Sequence, residues 1–187
     1  QKDSNLSRPF WLRMKFNTSM FNRKSTNGLL LFLMLNSGLR LHEVVTLTLD
    51  HLHLPEGYLI VDGKGNKQWL VPIGLHTRKV LFRYLSRRPG CAPADRVFLM
   101  SSLEPITDNT VRQMFRKLKQ RAAIPRLRAH LLRHTFATRY LENGGDMYAL
   151  QQILGHTSLE MVKKYVHSIP QKTVPGFPRF SPLDNLA

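Results

Sequence analysis

The sequence is poor in cysteine, in acidic side chains and in long hydrophobic runs. Its single cysteine, Cys91, excludes an internal disulfide and a zinc site built from several cysteines. The longest apolar run, from Leu29 to Leu35, is too short to span a bilayer, and no signal peptide opens the chain. These absences predict a reduced, cytoplasmic protein.

The acidic residues, Asp and Glu, number 12 against 28 Lys and Arg, so the formal net charge is +16 at pH 7. An excess of this size indicates a polyanionic partner, either nucleic acid or an anionic membrane. With 187 residues, of which 42% are hydrophobic, the chain can bury one good core. We therefore expect a folded protein that faces nucleic acid and is associated with the nucleoid.

The composition changes at both ends of the chain. Residues 1–9 are polar and end in Arg8-Pro9, which predicts a linker. Residues 170–187 combine several prolines with spaced apolar side chains, which predicts an extended arm. Residues 10–169 form the predicted domain between them.

Two helices are predicted at the start of this domain. A short one is expected from Phe10 to Met20, and a second one carries the apolar run that ends at Leu35. The second helix is apolar on all sides and should be buried. It should end at Gly38, because glycine permits the left-handed turn that closes helices. Arg40 and Glu43 follow directly, and at this spacing they can pair; taken alone, a surface ion pair is the simplest interpretation.

A β-hairpin is predicted next, from residues 58–61 and 68–72, with Lys64 between two glycines at its tip. Glycines let a backbone approach a ligand closely, although a solvated turn lysine is the ordinary interpretation. A helix from His76 to Arg88 and a short strand, Val97–Leu99, should follow.

Between Asn109 and Leu141 the chain has nine Lys or Arg and no Asp or Glu. Solvated helix faces normally mix both signs, so this stretch predicts contact with a phosphate backbone. The candidate residues for that contact are Arg112, Arg116, Lys117, Lys119, Arg121, Arg126 and Arg128.

Residues 130–165 contain side chains suited to phosphate chemistry. His130 and Arg133 lie at the start of a predicted helix, His156 lies in a turn between two helices, and Tyr165 lies on the last helix. Each also has an ordinary interpretation, the histidines as structural residues and the tyrosine as a core residue.

Taken together, these groups could break a phosphodiester without a metal or another cofactor. Arginines can clamp the non-bridging oxygens, and histidines can donate hydrogen bonds or accept a proton. A lysine can protonate the leaving oxygen while a tyrosine attacks the phosphorus. Free tyrosine has a pKa of about 10, so it needs cations around it to become a nucleophile. The candidate catalytic residues are Arg40, Lys64, His130, Arg133, His156 and Tyr165, with Glu43 in support.

These motifs resemble those of the tyrosine recombinases, the phage-integrase family. Residues 37–47 resemble the first arginine box, residues 63–67 the hairpin lysine, and residues 130–138 the His-x-x-Arg box. Residues 154–158, followed by Tyr165, resemble the final box. Each motif is weak alone, but ordered matches over roughly residues 10–170 are specific.

The resemblance implies a mainly α-helical fold with a small antiparallel β-sheet, in the α+β class. It implies a site-specific DNA recombinase that cleaves and rejoins strands through a 3′-phosphotyrosyl intermediate and a Holliday junction. It further implies double-stranded DNA as partner and a homotetramer on paired sites. The arm at residues 170–187 would then pack on a neighbouring subunit, or else fold back on its own.

Two departures from the family pattern stand out. Trp69 occupies a position where many relatives have a basic residue, so one phosphate contact is expected to be missing. The helical DNA-clamping domain that usually precedes this one is absent from the chain, which predicts weak and indiscriminate DNA binding.

Three other functions stay open at this point. A type IB topoisomerase uses similar chemistry but relaxes supercoils as a monomer. A non-catalytic DNA-binding relative would keep the basic surface and lose a catalytic group. A ribonuclease that uses the histidines would leave Tyr165 and Lys64 without roles.

Overall fold

A computed structural model describes residues 26–63, 65, 67–89, 92–122 and 124–166. The predicted helix from Phe10 to Met20, Lys64 and the arm at residues 170–187 lie outside the described residues. In chain order the elements are α1 (Thr26–Ser37), α2 (Leu41–Thr46), β1 (Leu52–His53), β2 (Tyr58–Asp62), β3 (Gln68–Pro72), α3 (Leu75–Leu85), α4 (Asp108–Arg121), α5 (Ala129–Glu142), α6 (Met147–Ile153) and α7 (Glu160–Val166).

Helix α1 is the centre of the hydrophobic core, as its sequence predicts. Five of its side chains have no exposed surface: Leu29, Leu30, Leu31, Leu33 and Met34. Burial of one such side chain contributes about 1.5–3 kcal/mol. The helix packs mainly against α5 and also against α3. It therefore anchors the segment that carries Arg133.

Gly38 ends α1, and the backbone conformation at this position requires a glycine. It has φ +68°, and its N–H donates to the Met34 carbonyl at 3.1 Å. A Cβ at this position would collide with the Phe136 ring and with the Leu154 side chain. Because the chain turns so tightly here, α2 begins against α5 and the α6 end, which brings Arg40 close to Arg133.

The three strands form an antiparallel sheet in the order β1-β2-β3. The hairpin is confirmed, with Val61 paired to Trp69 and Asp62 to Gln68. Leu59, Val61 and Val71 are buried, because one face of the hairpin packs on the core. The two-residue β1 is an addition that its sequence does not predict, since two residues are too few to show an alternating pattern.

The later helices begin at side-chain caps. Thr107 caps α4 by accepting the Thr110 N–H at 3.2 Å, and Asp146 caps α6 by accepting the Ala149 N–H at 2.6 Å. Helix α6 packs against β3, and α7 packs against α5 and α6. The turn between α6 and α7 is thereby held between the hairpin and α5.

One predicted element differs. The strand expected at Val97–Leu99 is replaced by two isolated bridges, Thr48 to Arg96 and Leu99 to Pro105. Each flanking loop forms a single bridge with this segment, through Thr48 or Pro105, and neither loop continues as a strand. Apart from this segment, the described chain is mainly helical with one small antiparallel sheet, which confirms the expected fold class. None of the helices in the described ranges is both long and apolar enough to cross a bilayer.

Candidate active site

Arg133 lies on the first turns of α5 and is buried, with 4% of its side chain exposed. Its Nη1 donates to the Gly38 carbonyl at 2.8 Å, and its Nη2 donates to the Leu154 carbonyl at 2.7 Å. Burial, and next the nearby Arg40, lower the pKa of Arg133 to about 10. The guanidinium is therefore still a cation at neutral pH, fixed by main-chain oxygens from two turns.

His156 lies in the turn after α6, with its Nε2 at 2.7 Å from Nη2 of Arg133. A guanidinium has only donors, so Nε2 is the acceptor and the ring proton is on Nδ1. Nδ1 is buried and has no hydrogen-bond partner among the described residues. Burial, followed by the charge of Arg133, lowers the pKa of His156 to about 4. The imidazole is neutral near pH 7 and has one N–H donor to offer.

Arg40 precedes α2 and pairs with Glu43, as the spacing predicts. Its backbone N–H and its Nη1 both donate to the Glu43 carboxylate, at 2.7 and 2.6 Å. The simplest expectation is a surface ion pair, and it is wrong for Glu43. The Glu43 side chain is buried, with 6% exposed, while the Arg40 side chain is 42% exposed. A buried carboxylate that fixes an exposed guanidinium orients that cation for a ligand.

The two arginines converge on one point. Nη1 of Arg40 lies 3.5 Å from the Leu154 carbonyl oxygen, to which Arg133 also donates. Glu43 is the counter-charge that they share, with its Oε2 3.9 Å from Nη1 of Arg133. Two cations and one carboxylate leave a net positive charge at the convergence, which suits an anion such as a phosphate diester.

Tyr165 lies on α7 and reaches the same site. It is 6% exposed, and its apolar neighbours are Ala137, Leu150, Leu154 and Val162. Tyr165 is close enough to Arg133 to act on its guanidinium, and it opposes the lowering of that pKa by burial and by Arg40. Its ring also stacks on His156, with centroids 6.5 Å apart and planes 9° from parallel. The tyrosine is thus both a core residue and a site residue, with an apolar ring and a polar tip.

His130 lies at the start of α5 and is exposed. Partial desolvation, with smaller effects from Arg128 and Arg133, lowers its pKa. The neutral imidazole is therefore favoured at neutral pH, so it can accept a proton. Arg40 acts on it as well, which places His130 within the electrostatic reach of both arginines.

An open cleft of about 1190 Å³ lies in front of Arg40 and His156. Its lining includes Gly63 and Trp69 of the hairpin and Gly155 of the turn after α6. Lys64 itself is outside the described residues, but its sequence neighbour Gly63 borders the cleft. The cleft is wide and open, as a site for a polymer requires.

The seven predicted backbone-binding residues are all exposed. Five lie on α4 and two lie in the segment just before α5: Arg112, Arg116, Lys117, Lys119, Arg121, Arg126 and Arg128. Helix α4 packs against α2, the helix that begins next to Arg40. The five basic residues on α4, which we call the basic face of α4, are therefore held close to α2 and to Arg40.

Two side chains at the site were not among the predicted residues. His134, one residue after Arg133, meets the Tyr165 ring edge-on with centroids 5.2 Å apart. The Trp69 indole donates to the Ile153 carbonyl at 3.2 Å and covers Gly155. The adjacency of His134 to Arg133 was a usable signal, whereas the contacts of Trp69 with residues over 80 positions away have no sequence signal.

Comparisons with known proteins identify the family of this chain. The sequence matches the Phage integrase family over residues 13–172. It is 40% identical over 139 residues to Tyrosine recombinase XerC of Pseudomonas aeruginosa, a match that covers 74% of this chain and 46% of that protein. The chain thus spans about half the length of the curated relatives that it matches.

Two solved structures extend the likeness to three dimensions. The XerA recombinase superposes with a TM-score of 0.73 at 28% identity, over 91% of this chain and 62% of that one. XerH, bound to its difH substrate before cleavage, superposes with a TM-score of 0.65 at 25% identity, over 88% of this chain and 49% of that one. From its sequence, its fold and its site, the chain belongs to the phage integrase family of tyrosine recombinases.

Proposed function

We propose that this chain is the catalytic part of a site-specific DNA recombinase, with residues 10–169 as its catalytic domain. The observation that carries the proposal is the convergence of Arg133, His156 and Tyr165, at which the guanidinium contacts the imidazole and the phenol ring stacks on that same imidazole. A phenolate that forms beside this fixed cation has its charge stabilised without solvent reorganisation.

In the proposed cleavage step, the Tyr165 oxygen attacks a DNA phosphorus and the bond from that phosphorus to the 5′ oxygen breaks. The products are a 3′-phosphotyrosyl link and a free 5′-hydroxyl. The phenol proton passes to His130, which is neutral at working pH. Lys64 gives a proton to the departing 5′ oxygen. Attack by a 5′-hydroxyl from another strand reverses each transfer and releases the tyrosine.

The remaining groups act on the phosphate oxygens. Arg40 and Arg133 neutralise the charge that grows on the non-bridging oxygens in the pentavalent state. His156 contributes its Nδ1–H as a donor and not as a base, because its Nε2 is already occupied by Arg133. The Glu43 carboxylate contacts both guanidiniums and keeps them aligned with each other.

The partner that we propose is double-stranded DNA, which is supported by the net charge of +16, by the basic face of α4 and by the similarity to XerH, a site-specific recombinase bound to its difH substrate. A homotetramer on paired sites, with the arm at residues 170–187 on a neighbour, stays a prediction because the arm lies outside the described residues. Cytoplasmic, nucleoid-associated location also stays a prediction.

The test is a denaturing gel of the chain with nicked duplexes that trap the cleaved state. The wild type should give an SDS-resistant protein–DNA band and Tyr165→Phe should give none, while its salt-dependent DNA binding is unchanged. Tyr148→Phe is the matched control, because Tyr148 is 61% exposed and is not among the predicted site residues. An adduct with the Tyr165→Phe protein would refute the nucleophile, and relaxation of supercoiled plasmid by monomers would favour a topoisomerase.

A further inference from the structure

Trp69 is a large side chain at the cleft to which the proposed chemistry gives no role. It lies on β3, opposite Val61, so it is part of the hairpin. Its indole packs between Gly63, which follows β2, and Gly155, which lies in the turn after α6. A Cβ at Gly155 would lie 2.7 Å from two indole carbons, and a Cβ at Gly63 would overlap the same ring. Its Nε1 donates to the Ile153 carbonyl at 3.2 Å.

The indole therefore contacts the turn after α6 on both sides of Leu154. Ile153 is the residue before it and Gly155 is the residue after it. The Leu154 carbonyl accepts from Arg133, and His156 is the next residue after Gly155. A side chain that fixes these neighbours also fixes a main-chain acceptor and an imidazole of the site.

The conformation of the turn explains why it needs such a support. Gly155 has φ +59°, and the His156 N–H donates back to the Gln151 carbonyl at 3.0 Å. Within this short turn a small rotation would move both the Leu154 oxygen and the His156 ring. The indole is a rigid plane with few rotamers, so it limits that rotation.

We propose that Trp69 is a positioning residue for the strand-cleavage site: its indole fixes the turn Ile153–His156 against the hairpin and so sets where the Leu154 carbonyl and His156 meet Arg133. This proposal rests on the function proposed above. The family resemblance implies a basic residue at this position. Trp69 would position the turn there and would not contact a phosphate.

The first test reads the environment of His156 by NMR and needs no DNA. His156 faces Arg133, Arg40 and the Tyr165 ring, and burial beside Arg133 holds its pKa at about 4. The variant His156→Gln identifies its resonance among the eight histidines. In Trp69→Ala we expect the pKa to rise towards the ordinary value of about 6.5, because the loosened turn admits water.

The second test is the single-turnover rate of covalent adduct formation at saturating DNA. Trp69→Ala should slow this step by about ten-fold or more with little change in DNA affinity, since the reacting groups are displaced while the basic face is intact. Leu75→Ala is the matched control, because Leu75 follows the hairpin, is 69% exposed and lies outside the lining of the cleft. It should change neither the rate nor the His156 titration.

Trp69→Phe keeps a ring over Gly155 and loses only the N–H donor. It should show a smaller rise in the His156 pKa and a smaller decrease in the rate of adduct formation. If Trp69→Ala does not fold, these two measurements on Trp69→Phe test the proposal. A folded Trp69→Ala with a wild-type His156 titration and rate would overturn the proposal. So would a Trp69→Phe protein with wild-type values beside an unfolded alanine variant. Absence of any adduct from the wild type would count against the proposed function, while the titration would still decide the role of Trp69.

Discussion

Nη2 of Arg133 lies 2.7 Å from Nε2 of His156, a contact that only a neutral imidazole can make. Protonation of His156 would turn this hydrogen bond into a repulsion between two donors. The structure therefore couples the integrity of the site to pH.

We predict that acid destabilises the protein through His156. Its folded pKa of about 4 lies below the ordinary value, so between these values the unfolded chain binds more protons than the folded one. The stabilisation is complete above about pH 6.5 and is lost as pH falls towards 4. From pH 7.5 to 5, the wild type should lose about 2 kcal/mol more unfolding free energy than His156→Gln.

Urea unfolding of both proteins at the two pH values measures this difference. The glutamine variant is the appropriate control, because its amide oxygen can accept from Arg133 and does not titrate. The lowered pKa of His130 acts in the same direction in both proteins and cancels. Equal losses in the two proteins would contradict the assigned state of His156.

A second prediction concerns Glu43, the buried acceptor of Arg40. Glu43→Gln removes the charge that offsets two guanidiniums, so both arginines should lose their alignment. We expect a loss of about 1–3 kcal/mol in unfolding free energy and at least a ten-fold slower cleavage. Denaturant titration and single-turnover adduct formation measure the two effects.

The control for this variant is Glu160→Gln. Glu160 forms a comparable pair with Lys163 at 2.6 Å, but it is 74% exposed. Its removal should leave the unfolding free energy almost unchanged, because solvent screens an exposed ion pair, and should leave cleavage unchanged. If Glu43→Gln behaves like Glu160→Gln, the carboxylate does not organise the site.

The sequence predicts the local parts of this fold well. Helix α1 and the hairpin follow from an apolar run and from turn residues, both of which act over a few positions. The candidate arginines and histidines can also be identified, because their spacing within each motif is short. Arg40, Arg133, His156 and Tyr165 are then brought together by packing that no spacing reveals.

What the sequence does not predict depends on contacts between distant segments. The burial of Glu43 and the acceptor role of the Leu154 carbonyl arise only when α2, α5 and the α6 end meet. A main-chain oxygen has no signature in a sequence. The contact of Trp69 with Gly155 is of the same kind, and the resemblance alone suggests only a missing cation there.

A third prediction concerns Lys64. Lys64→Ala should slow cleavage of an ordinary phosphodiester strongly, because the 5′ oxygen then leaves without a proton. A substrate with sulfur in place of that bridging oxygen has a better leaving group and should restore most of the rate. Adduct formation on the two substrates measures the ratio. Lack of rescue would remove Lys64 from the general-acid role, and Lys67→Ala is the control from the same hairpin.

A fourth prediction concerns the basic face of α4. Substitution of Arg116 or Lys119 by alanine should weaken DNA binding about equally for all sequences and reduce the slope of log affinity against log salt by about 1 for each lost phosphate contact. Both residues are exposed, so folding should be unaffected. Lys79→Ala is a control on α3, a helix away from the cleft. A salt slope that changes equally in all three variants would exclude a specific role for α4.

The measurement that tests the central claim most directly is tandem mass spectrometry of the protein–DNA adduct after digestion with protease and nuclease. The account predicts a nucleotide joined through its 3′ phosphate to the peptide that contains Tyr165. A nucleotide on any other side chain, or a 5′ linkage, would contradict it.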